Sequence, residues 1–293
     1  MEKVTLKGCG TALLTPFKGD NVDYEAFAAS VDRQIEAGIH FLVPLGTTGE
    51  TPCLSVEERI EVLKVAKAHS AGRPVVVGGG TNSLAGTISS MKALERYGVD
   101  AFLIVVPYYN KPTQEGQYAY FKAVAAATSK PIVIYNVPGR TGANIEADTV
   151  LRLAEDVPNI VAVKEASGRY AQISEIIRRA PEGFSVLSGN DDETLSLMAT
   201  GAAGVISVAS NVAPAEMVAL TEALLADDMP KARELHHKLS PLFHALFVES
   251  NPIPAKAAMS LLGLMSNTLR LPLIPASEKT TLLLERVLAR LNG

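Results

Sequence analysis

The chain has 293 residues, of which 47% are hydrophobic and 20% charged, and its formal net charge is −4. That is enough for one large domain with a sizeable core, and it lacks the basic footprint of a nucleic-acid-binding protein. No apolar stretch is long enough to cross a membrane, no charged N-terminal segment leads into an apolar signal core, and Cys9 and Cys53 cannot build a disulfide framework, so a cytoplasmic protein with neither membrane nor nucleic-acid partners is expected.

Short β-type runs alternate with longer helical segments. The first run is Cys9–Leu14. Asp23 then caps a helix over Tyr24–Ala37, where Phe27, Val31 and Ile35 share one face, and Gly38 ends it. Phe41–Leu45 leads into Gly46-Thr47-Thr48-Gly49-Glu50, and Ser55 with Glu58 has the capping-box pattern for the next helix. Val75–Val77 runs into Gly78-Gly79-Gly80, which lacks dinucleotide-fingerprint spacing and instead permits close backbone approach. After Gly98, Ala101–Val106 leads to Pro107-Tyr108-Tyr109-Asn110. Ile132–Tyr135 leads to Asn136-Val137-Pro138-Gly139-Arg140-Thr141-Gly142, and Ile160–Val163 to Lys164. Ser185–Leu187 leads to Ser188-Gly189-Asn190-Asp191-Asp192, and Gly201 precedes the last run, Gly204–Val208. Several runs are apolar throughout, as expected of parallel strands covered on both faces.

Eight βα units predict a TIM (β/α)8 barrel over residues 1–226. A doubly wound open sheet is the alternative, but it does not call for eight near-regular repeats. Lys231–Val248, Ile253–Leu262 and Ser277–Leu291 predict a C-terminal helical extension over residues 227–293, with Pro241 kinking or dividing its helix.

In such a barrel the active site lies at the C-terminal ends of the strands. Hydroxyls, phenols, one lysine and one arginine gather there, while the opposite ends lack this inventory. Lys164 closes an apolar strand, where desolvation lowers a lysine's pKa and makes its amine a nucleophile able to form a Schiff base. Alone, it also fits a lysine reaching into solvent; the neighbouring strand ends favour chemistry. Tyr135, one strand away, can give and take the protons that imine formation requires, provided a hydrogen-bonded chain or cation assists the phenol, and Thr47 can join that chain. Backbone N–H groups at Thr47 and Thr48 suit a substrate carboxylate, and Arg140 offers a planar fork for a second one. Asp191, Asp192 and Glu193 are expected to open a helix and complement its dipole. His236, His237 and His244 lack the supporting ligands of a metal site, and the cysteines read as small buried hydrophobes.

Gly46-Thr47-Thr48-Gly49-Glu50, Tyr135-Asn136-Val137-Pro138 and Val163-Lys164-Glu165 carry a resemblance to the dihydrodipicolinate synthase / N-acetylneuraminate lyase family of class I aldolases, over essentially the whole chain. Arg140-Thr141-Gly142, Tyr108-Tyr109-Asn110-Lys111-Pro112 and Asn251-Pro252-Ile253-Pro254-Ala255-Lys256 narrow it toward the synthase branch. The resemblance implies that Lys164 forms an imine with pyruvate and that the derived enamine attacks the aldehyde of aspartate semialdehyde. Tyr135, Thr47 and Tyr109 match the family's proton relay, with Tyr109 reaching into a partner subunit's site. Thr48 and the backbone at Ile206 match pyruvate contacts, Gly189 lines the site, and Arg140 matches the semialdehyde-carboxylate residue. No cofactor and no metal are implied, and a homotetramer of tight dimers is. Where relatives bind the inhibitor lysine with histidines and a glutamate, this chain has Val56, Arg59 and Gly86, beside a matching Asn82 and Tyr108, so feedback by lysine is expected to be weak or absent. Two alternatives stay open: an aldolase acting on N-acetylneuraminate or a keto-deoxy sugar acid, and a catalytically silent pyruvate-binding regulator.

Overall fold

A computed structural model describes residues 4 and 6–292. Eight parallel strands form one sheet: β1 (Gly8–Ala12), β2 (Phe41–Val43), β3 (Val76–Gly78), β4 (Ala101–Val105), β5 (Ile132–Asn136), β6 (Ile160–Glu165), β7 (Ser185–Ser188) and β8 (Gly204–Ser207). Neighbours in sequence pair from β3 to β8, β8 pairs with β1, and β1 with β2. A single parallel bridge between Leu42 and Val75 closes the ring between β2 and β3. The expected barrel is therefore present, and an open sheet is not.

Helices cover the outside: α1 (Tyr24–Glu36), α2 (Val56–His69), α3 (Leu84–Glu95), α4 (Gln114–Ala126), α5 (Ala147–Asp156), α6 (Tyr170–Arg179), α7 (Thr194–Thr200) and α8 (Pro214–Leu225). Their starts follow local chemistry. The Asp23 carboxylate accepts from the Ala26 N–H, and Ser55 and Glu58 complete a reciprocal capping box. Gly38 and Gly201 take the left-handed conformation, with φ of 82° and 117°, that releases each chain toward the next strand.

Two apolar layers result from strand alternation. One lies between the barrel wall and the helices; the other fills the barrel with inward-facing Phe41, Val43, Val76, Leu103, Val133, Ala162, Leu187 and Ile206. A Cβ at Gly10 would stand 2.0 Å from the Phe41 ring, so the absent side chain makes room for an aromatic one inside the barrel. The β5–β6 register sets Tyr135 against Lys164 and Asn136 against Glu165.

The chain continues through α9 (Met229–Ala245), α10 (Ile253–Leu261) and α11 (Glu278–Asn292). Pro241 does not divide α9, which runs unbroken through it. The carbonyl that loses its N–H partner belongs to His237, an exposed residue.

Candidate active site

Lys164, Tyr135, Thr47, Thr48, Arg140 and Gly189 line one pocket of about 50 Å³ at the C-terminal rim of the barrel. A cavity of about 440 Å³ adjoins it and shares Thr47, Tyr135, Arg140 and Asn251. Lys164 is only 6% exposed, and its Nζ lies 4.4 Å from the centre of the Tyr135 ring. A cation over a phenol ring is held electrostatically as well as by packing. Thr48 is buried, Thr47 half-buried, and Arg140 exposed at the mouth.

The other two expected residues sit elsewhere. Ile206 is fully buried in the barrel interior beside the Tyr135 side chain's apolar cluster, below the pocket. Tyr109 is 88% exposed and does not line its own chain's pocket. Its backbone is left-handed, with φ of 71°, and its N–H donates to the Thr141 carbonyl. Leu45, Glu50 and Lys111 are further non-glycine residues with positive φ on the rim loops, and such strain concentrates at functional sites.

The glycine run after β3 gives the cavity its wall. A Cβ at Gly78 would stand 1.8 Å from the Leu45 carbonyl oxygen, so the two loops meet backbone to backbone.

Residues from the C-terminal helices and their connections complete the rim. Asn251 donates from Nδ2 to the Thr48 hydroxyl at 2.9 Å, and its carbonyl accepts from Arg140 Nη2 at 3.0 Å. One residue thus fixes both carboxylate-binding candidates. Lys256 on α10 pairs with Glu50 of the Thr47–Thr48 loop, with both side chains fully buried. The second Glu50 oxygen accepts from the Arg270 backbone N–H at 3.0 Å, and the Lys256 and Arg270 side chains both lie over the Phe17 ring, at 4.1 and 4.6 Å from its centre. Burial pushes the Lys256 ammonium below its ordinary pKa, against the pull of Glu50.

Two acids behave differently from a surface carboxylate. Asp191 does not open α7, which starts at Thr194 without a side-chain cap. Its carboxylate is buried and accepts from the Val208 and Ala209 N–H groups at 3.0 and 2.9 Å, pinning the turn after β8. Two buried amide donors hold a carboxylate more strongly than the field of a helix terminus does. Burial raises the Asp191 pKa, while the Ser207 hydroxyl, the two amides and the charge of Lys164 oppose the rise. Glu165 is also fully buried and raised by burial, with Asn136, Ser167 and Gln172 opposing it. Cys9 is buried as expected, but Cys53 is half-exposed and donates from Sγ to the Leu271 carbonyl. Among the described residues no group of histidines, cysteines and acids converges as a metal site would.

Residues 5–291 match the model of the dihydrodipicolinate synthetase family. The chain belongs to that family. It is 49% identical over 286 residues to the 4-hydroxy-tetrahydrodipicolinate synthase of Thermotoga neapolitana, covering 96% of this chain and 97% of that one. It is 50% identical to the synthase of Koribacter versatilis, covering 97% of this chain and 95% of that one. The crystal structure of dihydrodipicolinate synthase from Thermotoga maritima superimposes with a TM-score of 0.96 at 46% identity, over 98% of this chain and 99% of that one.

For this family member, sequence reasoning assigned no chemistry to Asn251, Glu165 or the Glu50–Lys256 pair. Their motifs were visible, but no spacing rule joins residues 203 or 206 positions apart.

Proposed function

We propose that this chain condenses pyruvate with L-aspartate 4-semialdehyde through a Schiff base on Lys164, giving 4-hydroxy-tetrahydrodipicolinate. The observation that carries the reading is the placement of the Lys164 amine beside Tyr135, in one pocket with Thr47, Thr48 and Arg140. Family membership and named relatives at about half identity support the same substrates over a sugar-acid aldolase or a silent regulator.

The steps follow from these side chains. The Lys164 amine adds to the pyruvate carbonyl, and loss of one water leaves the imine. Tyr135 and Thr47 carry protons to and from the carbinolamine oxygen, with the Tyr109 phenol of a neighbouring subunit completing the chain. Loss of a methyl proton gives the enamine, whose carbon attacks the semialdehyde aldehyde and leaves a hydroxyl. The semialdehyde's own amine then adds to the imine carbon and expels Lys164, closing the ring. Thr48 and the backbone near Ile206 orient pyruvate, Gly189 leaves room, and Arg140 takes the semialdehyde carboxylate as a bidentate fork. The imine itself is the electron sink, so the reaction as proposed uses no cofactor.

The working assembly is proposed to be a homotetramer of tight dimers in the cytoplasm, as the family resemblance implies; the 88% exposure of Tyr109, which lines neither pocket of its own chain, supports its crossing to a partner. Among the described residues no helix is long and apolar enough to cross a membrane. Residues 1–226 are taken as the catalytic barrel and 227–293 as the extension that braces its rim. Regulation by lysine is proposed to be weak. Arg59 puts a permanent positive charge on the wall of the larger cavity beside Tyr108, and a Cβ at Gly86 would meet the Thr81 hydroxyl at 2.9 Å, so a carboxylate there would require Thr81 to move.

Borohydride reduction in the presence of pyruvate, followed by mapping of the modified peptide, tests the reading. A reduced pyruvate adduct on Lys164, absent in Lys164→Ala, is expected. Absence of any adduct, or its presence on another lysine, would overturn it.

A further inference from the structure

Lys164 and Tyr135 face the barrel interior, so their strand neighbours Glu165 and Asn136 face outward. There they enter a ring of four polar side chains. Asn136 Nδ2 donates to Glu165 Oε1 and to Asn144 Oδ1, each at 3.0 Å. Asn144 Nδ2 donates to Gln172 Oε1 at 2.9 Å, and Gln172 Nε2 closes the ring on Glu165 Oε1 at 3.0 Å. The ring also grips the backbone of one loop: Asn136 Oδ1 accepts from the Ile145 N–H at 3.3 Å, and Gln172 Nε2 donates to the Ile145 carbonyl at 3.1 Å.

That loop, residues 137–145, carries Arg140. On its far side Gln114 of α4 donates to the Asn144 carbonyl at 2.9 Å. The guanidinium end has no such frame and is held by the Asn251 carbonyl. The ring therefore ties the segment bearing Arg140 to the strand bearing Lys164.

Its composition does not favour stability for its own sake. Glu165 Oε2 is buried and makes no hydrogen bond. A buried acid with an unmet oxygen is costly, and an apolar side chain of similar volume is usually no worse for stability. Local costs of this kind are tolerated where they position a site.

We propose that Asn136, Asn144, Glu165 and Gln172 are positioning residues that hold the Arg140 loop in register with Lys164, and so govern capture of the second substrate but not formation of the pyruvate adduct. The proposal rests on the reading of Lys164 and Arg140 given above.

Gln172→Ala and Asn144→Ala remove ring members outside the strands, and Glu165→Gln keeps the Oε1 acceptor while removing the charge. The two alanine variants are expected to raise the KM for aspartate semialdehyde about tenfold and leave the rate of borohydride-trapped pyruvate adduct within about twofold of the parent, as loss of a buried hydrogen bond confined to one substrate's loop predicts. Glu165→Gln is expected to behave as the parent. Amide hydrogen exchange over residues 137–145 should accelerate in the alanine variants alone. Equal effects on both substrates, a Glu165→Gln variant as impaired as the alanine variants, or unchanged exchange would each overturn the proposal. If the parent traps no pyruvate at all, the functional reading fails, and the exchange comparison still decides whether the ring holds the loop.

Discussion

Arg140 and His40 sit at opposite ends of the barrel and make opposite kinds of prediction. Arg140 is exposed at the pocket mouth, with one guanidinium nitrogen on the Asn251 carbonyl and the rest free for a ligand. Arg140→Ala should raise the KM for aspartate semialdehyde by about 10- to 100-fold, the worth of hydrogen bonds to a charged group, with a much smaller effect on pyruvate. Steady-state kinetics with each substrate varied in turn measures this, and equal changes would remove Arg140 from the role. His40 immediately precedes β2 at the other rim, where its Nδ1 accepts from the Cys9 N–H at 3.1 Å. Burial lowers its pKa from the ordinary value of 6.5, and Arg73 adds to the shift while Glu222 opposes it. A histidine with a depressed folded-state pKa contributes stability that is fully present above the unfolded value and is lost as pH falls through the folded one. His40→Asn keeps an acceptor at the same place and cannot titrate. Its Tm should therefore fall less than that of the parent between neutral pH and pH 5, and parallel curves would refute the assignment. Both residues were visible in the sequence, but only Arg140 stood in a motif with chemical meaning; the Cys9–His40 bond joins residues 31 apart across a strand pair.

The barrel strands were legible because each is covered on both faces, so a short apolar run between polar segments has few other uses. The helix starts at Asp23 and Ser55 were legible because capping is local. Asp191 was misread because the amides it satisfies belong to another βα unit. The same limit hid the junction between the Thr47–Thr48 loop and α10. Glu50 is left-handed, with φ of 51°, and delivers its carboxylate to Lys256 in a fully buried pair. Lys256→Met leaves that carboxylate without its cation, and breaking such a pair costs about 3–5 kcal/mol. Urea unfolding should record a loss of that size, together with weaker substrate binding as the Thr48–Asn251 contact loosens. A variant as stable as the parent would mean that Arg270 alone compensates Glu50.

For the whole molecule, Tyr109 is 88% exposed, and the apolar residues Leu271 and Ile274 are 79% and 62% exposed, which is the kind of surface the proposed assembly would cover. Tyr109→Phe keeps the ring and removes the hydroxyl, so it should lower kcat by about 10²-fold or more, in the range for general acid–base groups, without changing the sedimentation coefficient. A fully active monomer would contradict the proposed sharing of Tyr109. Lysine should fail to inhibit at concentrations near 1 mM, where binding is worth about 4 kcal/mol; half-inhibition well below that would restore a lysine site despite Arg59. The Glu50–Lys256 contact spans 206 residues, and Asn251 reaches back 203 residues to Thr48. The eighth strand ends at Ser207, so a ribosome adding about 5–20 residues per second makes all eight strands, Lys164 included, roughly 2–10 s before Asn251 and Lys256. Until then the nascent barrel carries the proposed Schiff-base lysine without its finished pocket, and Glu50 waits in water for a lysine not yet made.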